Sequence, residues 1–336
     1  MKNEKAYYAI AVILLLMAYV AGPKPTTPVY DQSLPALPED IDKLEKHISS
    51  NEAALPVKPD NQARIVWADS LNKGQTEYAV VYIHGFGASQ GEAEPVHRNF
   101  AKKFGCNLYL ARLTGSGLNN KDAMLDFTPD HIWTSAREAY AIGRKIGKKV
   151  ILMGTSNGAL LALRLAATYP EVNALVLYSP NIRINNSAAW LLNDPWGLQI
   201  ARLVKGGDYV RNNDKEPEVL KYWYNQYRVE ALPQLEEFVE TTSRPDIFAK
   251  IKQPVLMLYY YKDEAHQDKT VRVDAMLDMF EQLGTPAALK RKLSLPKTGV
   301  HPIASALLSG DIPSVERETQ DFAQSILNMK VLPEKP

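Results

Sequence analysis

The sequence predicts a doubly wound, mostly parallel α/β sheet with an inserted helical cap, preceded by an apolar N-terminal helix and a proline-rich tether. Three observations carry this expectation. Short apolar runs such as Val150-Ile151-Leu152-Met153 are continuous and not alternating, as strands covered on both faces must be. Helical periodicities lie between them, and that alternation is the pattern of a parallel sheet. Residues 183–250 then break it, with helical segments and no strand-like run over a length far beyond an ordinary connection.

Taken in order, residues 6–22 carry no charge, with Lys2 and Lys5 before them and Pro23-Lys24-Pro25 after. Seventeen helical residues rise about 25 Å, against a bilayer core of about 30 Å. A secretory signal peptide has the same layout. The cut site is poor, since Tyr19 stands two places before Ala21 and a cut after Gly22 would leave Pro23 next. An uncleaved membrane anchor is therefore set slightly ahead of a cleaved signal, and a buried core helix behind both. The leading lysines favour a cytoplasmic amino end, which puts the rest of the chain outside the cytoplasm. Five prolines within residues 23–38 read as an extended tether, and Ile41, Leu44 and Ile48 suggest a short helix.

The folded core is expected over residues 61–182 and 251–336. Strands are read at residues 64–68, 78–83, 108–113, 149–153, 174–178 and 255–261, with Asn72-Lys73-Gly74 as a turn between the first two. Apolar residues at helical spacing mark helices at 131–146, 160–167 and 314–327. The cap, residues 183–250, holds Trp190, Trp196 and Trp223 with Tyr222, Tyr224 and Tyr227 close by. Such aromatics build a mini-core or line an apolar substrate pocket.

Composition narrows the function classes. The 336 residues include 39 basic and 38 acidic side chains, a formal charge of +1 that supplies no polyanion-binding face. Nucleic acid is not an expected partner. A single cysteine, Cys106, excludes an intrachain disulfide framework and a multi-cysteine metal site.

The chemistry concentrates at Gly154-Thr155-Ser156-Asn157-Gly158. A buried strand enters this Gly-x-Ser-x-Gly stretch and a helix leaves it. So sharp a bend leaves room only for small neighbours, and it lifts the Ser156 hydroxyl to a helix N-terminus that favours negative charge. Ser156 is the expected nucleophile. Among six histidines, His47 precedes the domain, and His97 and His131 fall on helices read as solvated. His301 follows a short final strand, at the sheet end where catalytic groups collect, and is the expected base. Asp263, just past the strand at 255–261, is the expected orienting carboxylate, with Glu264 and Asp268 as competitors. The oxyanion needs N–H donors: the backbone of Asn157, and that of Phe86 in His84-Gly85-Phe86-Gly87, where His84 would brace the loop.

Together these motifs resemble the α/β-hydrolase fold family, particularly its lidded carboxylesterase and monoacylglycerol-lipase-like members. The resemblance spans residues 64–327 and includes the His-Gly-x-Gly loop, Arg112-Leu113-Thr114-Gly115-Ser116-Gly117, the elbow, the lid insertion, Asp263 and His301. It implies Ser156, Asp263 and His301 as a triad and Phe86 and Asn157 as oxyanion donors. Ser116 stands where relatives often carry histidine, and Tyr260 where they commonly carry glycine.

The expected function is a serine hydrolase that needs no metal or cofactor and cleaves a carboxylic ester through an acyl-enzyme. Its substrate would be a small ester with an apolar acyl or aryl group, held in part by Trp190, Trp196 and Trp223. Thioesterase, peptidase or acyltransferase chemistry could use the same groups, and a catalytically silent binding protein is the reading from another class.

Overall fold

The computed structural model describes residues 2–213 and 216–333, with side chains from residue 5 onward apart from residue 6. Two helices precede the sheet, α1 (Lys2–Val20) and α2 (Ile41–Ala53). The first half of the core runs β1 (Arg64–Val66), β2 (Thr76–Ile83), α3 (Val96–Phe104), β3 (Asn107–Leu110), α4 (Pro129–Ile146), β4 (Gly147–Thr155), α5 (Asn157–Thr168) and β5 (Ala174–Tyr178). An insertion follows, with α6 (Gly197–Lys205), β6 (Tyr209–Arg211), α7 (Pro217–Tyr222), β7 (Gln226–Arg228), α8 (Ala231–Thr242) and α9 (Pro245–Phe248). The chain closes through β8 (Val255–Tyr259), β9 (Tyr261–Asp263), β10 (His266–Gln267), α10 (Val273–Gln282), β11 (Lys290–Ser294) and α11 (Ile312–Ser325).

Seven strands pair in the order β1-β3-β2-β4-β5-β8-β11, and β1 alone runs antiparallel to its neighbour. Successive side chains of a strand point to opposite faces, so a continuous apolar run serves two cores at once. Ala79, Val81 and Ile83 of β2 join a core with Ile132 of α4, Leu160 of α5 and Met276 of α10. Val80 and Tyr82 join the opposite core with Phe100 of α3 and Phe322 of α11. The same division holds in β4, where Val150 and Leu152 face one side and Ile151 and Met153 the other. This is the mostly parallel, doubly wound sheet that the alternation of runs implies.

The insertion departs from its expected all-helical character. Its β6 and β7 form a two-stranded antiparallel ribbon, with Tyr209 opposite Arg228. At three residues each, these strands are too short to leave a periodic signature.

The expected membrane anchor is not supported. Among the described residues no helix is long and apolar enough to cross a membrane. The helix stops at Val20, before the end of the charge-free run. Its apolar part, residues 6–20, therefore rises about 22 Å, well short of the hydrocarbon core.

The proline-rich segment is a strap and not a free tether. Val29 N–H donates to Asp130 Oδ1 at 2.7 Å, and Trp133 Nε1 donates to the Asp31 carbonyl at 2.7 Å. Asp31 also pairs with Arg137 at 2.5 Å. The Arg164 guanidinium lies 3.1 Å from the centre of the Tyr30 ring, whose hydroxyl meets Thr241 of α8 at 2.6 Å. Prolines keep this segment extended, while its backbone and side chains bind it across α4, α5 and α8.

Candidate active site

Ser156 sits between β4 and α5 with φ 54° and ψ −115°, a conformation that costs a non-glycine residue strain. Neighbouring contacts hold it there. Ser156 N–H donates to the Tyr178 carbonyl at 2.9 Å, and the Ser156 carbonyl accepts from Asn181 N–H at 3.1 Å. The bend depends on absent side chains. A Cβ on Gly158 would stand 2.0 Å from the Ile83 carbonyl oxygen, so only glycine lets α5 start so close to β2. The result places the Ser156 hydroxyl at the N-terminus of a helix, where anionic charge is favoured.

His301 lies in the loop between β11 and α11. Its Nδ1 is 2.6 Å from Asp268 Oδ2, and the Asp268 side chain is fully buried. The other carboxylate oxygen, Asp268 Oδ1, accepts from Thr270 N–H at 2.8 Å and Val271 N–H at 3.1 Å. With both oxygens accepting, the pair holds the proton on Nδ1 and leaves the Nε2 lone pair free. Nε2 is buried and makes no hydrogen bond, to Ser156 or to any other described residue.

Asp263, the carboxylate expected from the sequence, lies elsewhere. It is exposed and turns to its own hairpin, accepting from Ala265 N–H and His266 N–H and pairing with His266 Nδ1 at 2.7 Å. The reason is the β9–β10 hairpin, which carries residues 261–267 away from the sheet end. Asp268 then returns to it, its N–H donating to the Tyr260 carbonyl at 3.2 Å. Glu264 also stays on the hairpin, bonded to the Tyr261 hydroxyl at 3.0 Å.

The loop after β2 lies against the elbow. His84 is wholly buried; its Nδ1 donates to the Gly85 carbonyl at 2.9 Å, and its Nε2 accepts from Leu113 N–H at 3.0 Å. Burial pushes its pKa down to about 4, so it braces the loop as a neutral ring. A trans peptide sets C=O and N–H in opposite directions, so fixing the Gly85 carbonyl also fixes the Phe86 N–H. The Phe86 ring packs edge-on to Phe127 at 5.0 Å and to Tyr227 of β7 at 5.4 Å. Asn157, the other expected donor, is the first residue of α5, where backbone N–H groups lack helical partners.

The insertion reaches this loop through residues other than the expected tryptophans. Tyr224 N–H donates to the Gly87 carbonyl at 2.9 Å, and Tyr227 meets Phe86. Trp190 and Trp196 are 53% and 40% exposed. Trp196 is engaged by the N-terminal segment, its Nε1 donating to the Ala18 carbonyl at 3.0 Å. Trp223 is half-buried, and its carbonyl accepts from Lys58 Nζ at 3.3 Å. His97, expected to be solvated, is fully buried between α3 and the sheet, its ring 4.9 Å from that of Tyr82 and its Nε2 2.9 Å from the Gln90 carbonyl. A cavity of about 680 Å³ beside Asp268, lined by Tyr259, Tyr261 and Arg272, includes neither Ser156 nor His301 and is not read as the substrate site. Among the described residues no cluster of His, Cys, Asp and Glu could hold a metal ion.

A family model described as serine aminopeptidase, S33, matches residues 74–298. No curated protein matches the sequence significantly. Among solved structures, one from work on LipS and LipT, two metagenome-derived lipolytic enzymes, superimposes with a TM-score of 0.62 at 18% identity, covering 80% of this chain and 99% of that one. The monoacylglycerol lipase of Paleococcus ferrophilus gives 0.55 at 16% identity, over 80% of this chain and all of that one. Est1E of Butyrivibrio proteoclasticus, solved with ferulic acid bound, gives 0.51 at 17% identity, over 80% and 95%. At these identities the likeness is one of fold.

Proposed function

We propose that this chain, which belongs to the serine aminopeptidase S33 family of α/β-hydrolases, hydrolyses carboxylic esters through an acyl-enzyme on Ser156. Serine-hydrolase catalysis accompanies that membership; the ester, the residues and their roles are our reading. The observation that carries it is the buried Asp268–His301 pair, which leaves Nε2 unpartnered at the sheet end that also bears Ser156.

In this mechanism His301 Nε2 takes the Ser156 hydroxyl proton as Oγ attacks the ester carbonyl. Phe86 and Asn157 N–H groups receive the oxyanion, and Asp268 steadies the imidazolium. Collapse breaks the C–O bond to the alcohol, which leaves with the proton from His301. Water then gives a proton to His301 and attacks the acyl carbon; Oγ regains that proton as the acid departs. Residues 61–182 and 251–336 form the catalytic core in this reading, and residues 183–250 its cap. The aromatic group of Phe86, Phe127 and Tyr227 favours an apolar acyl or aryl portion over a charged one.

The test is turnover of p-nitrophenyl esters of graded acyl length by wild type and by Ser156→Ala. Hydrolysis should vary with chain length and disappear in the variant. Turnover of aminoacyl p-nitroanilides with none of the esters would overturn it in favour of a peptidase.

A further inference from the structure

Glu92 is a buried carboxyl that the mechanism above does not use. It lies on a short 3₁₀ turn, Gln90–Ala93, and is 3% exposed. Its Oε2 accepts from Gly85 N–H at 2.6 Å and from the Tyr82 hydroxyl at 3.1 Å. That hydroxyl also meets Thr155 Oγ1 at 3.0 Å, one residue before the proposed nucleophile. A Cβ on Gly85 would stand 2.7 Å from Glu92 Oε1 and 3.3 Å from Ser156 Cβ, so the carboxyl and the serine flank the same α-carbon. The turn is joined to the His301 loop as well, through Ala306 N–H and the Glu94 carbonyl at 2.9 Å.

Burying a carboxyl is unfavourable, and here burial outweighs the Gly85 N–H and His301 and leaves it raised to about 7. An apolar side chain would fill the space without that cost. What Glu92 adds is an acceptor at one defined place. Gly85 has no side chain to restrict its backbone, so both peptide planes beside it must be held from outside. His84 holds the following plane through the Gly85 carbonyl, and Glu92 holds the preceding one through the Gly85 N–H.

We infer that Glu92 is a positioning residue: by gripping the Gly85 N–H it completes a two-sided clamp that keeps the Phe86 N–H aimed at the developing oxyanion. This rests on the ester-hydrolase reading, in which Phe86 supplies an oxyanion donor. The role concerns the transition state, so its loss lowers kcat and leaves KM in place. Removing a whole oxyanion donor costs about 10²–10³-fold, and misaiming one costs less, about 10–100-fold.

The experiment compares Glu92→Ala, Glu92→Asp and Glu92→Gln with wild type on one p-nitrophenyl ester, with active sites counted by a fluorophosphonate and folding checked by thermal melting. Glu92→Gln keeps an oxygen within reach of Gly85 and is expected within about threefold of wild type. Glu92→Asp keeps a carboxyl but draws the oxygen back, and is expected to lose kcat about 10–100-fold with KM within about twofold. Glu92→Ala is expected to match it; if Glu92→Ala does not fold, the Asp and Gln pair decides. Wild-type kcat in Glu92→Asp, equal losses in Asp and Gln, or a loss confined to KM would overturn the inference and leave the ester reading intact. A wild-type protein that neither labels nor turns over ester would overturn both.

Discussion

Changing Asp268 to asparagine separates the acid that the structure places beside His301 from the one the sequence favoured. An asparagine there has one oxygen and one NH₂ group. The Thr270 and Val271 N–H groups, at 2.8 and 3.1 Å, both donate to the inner position and so select the oxygen for it. The NH₂ group is then left facing His301 Nδ1, 2.6 Å away in the native protein. Two donors cannot share that contact, so Nδ1 must become the acceptor and the proton moves to Nε2. That tautomer cannot take a proton from Ser156. Amidating an orienting carboxylate with geometry intact costs about 10⁴-fold in kcat, on the order of 5 kcal/mol in the barrier. Asp263→Asn alters only an exposed hairpin and should stay within about twofold. The assay is steady-state ester hydrolysis for both variants, with melting curves to show that each is folded. A large loss in Asp263→Asn alongside near-native activity in Asp268→Asn would show that Asp263, and not Asp268, orients His301.

Three further outcomes follow from buried groups. Glu236 on α8 is 4% exposed with Oε2 unpartnered, and burial, aided by Glu240, raises its carboxyl to about 7. The unfolded chain releases this proton near pH 4.5 and the folded one near 7, so stability falls as pH rises through that window, by on the order of 3 kcal/mol. Glu236→Gln should therefore raise Tm by several degrees at pH 8 and little at pH 5; equal shifts at both would contradict this. Gly158→Ala places a methyl 2.0 Å from a backbone carbonyl that cannot swing aside, and the variant should lose fluorophosphonate labelling and melt earlier than wild type. Glu52 holds Arg112 in a two-point pair at 2.7 and 2.8 Å with both side chains largely buried. Glu52→Ala strands that cation and should cost about 3–5 kcal/mol in urea unfolding, partly recovered when Arg112 is also replaced by an apolar residue.

What could be read from the sequence is what depends on neighbours along the chain. Residues 79–83 announce a strand covered on both faces because every position is apolar, and alternate residues do enter the two cores. The elbow is likewise local, since Gly154, Ser156 and Gly158 are spaced by the turn itself. The place of His301, in the loop after the last strand, was legible too. Its carboxylate partner was not, because a seven-residue hairpin separates Tyr260 from Asp268, which returns beside it, and nothing in residues 261–268 states where the chain comes back. The one local hint is the three-residue spacing of Asp263 and His266, which lets those two satisfy each other. His97 misled in the same way: α3 is enclosed by the sheet and α11, so more of its circumference is covered than one apolar stripe suggests. The strap was hidden for a further reason. Tyr30 and Asp31 find partners a hundred or more residues away, and proline content reports extension without reporting attachment.

Reaction with a fluorophosphonate followed by peptide mass mapping asks whether Ser156 is a nucleophile activated by His301. One adduct per chain is expected, located on Ser156, formed rapidly in wild type, absent from Ser156→Ala and strongly slowed in His301→Ala. Folded wild-type protein that takes up no probe, or carries it on another residue while Ser156 stays free, would contradict it.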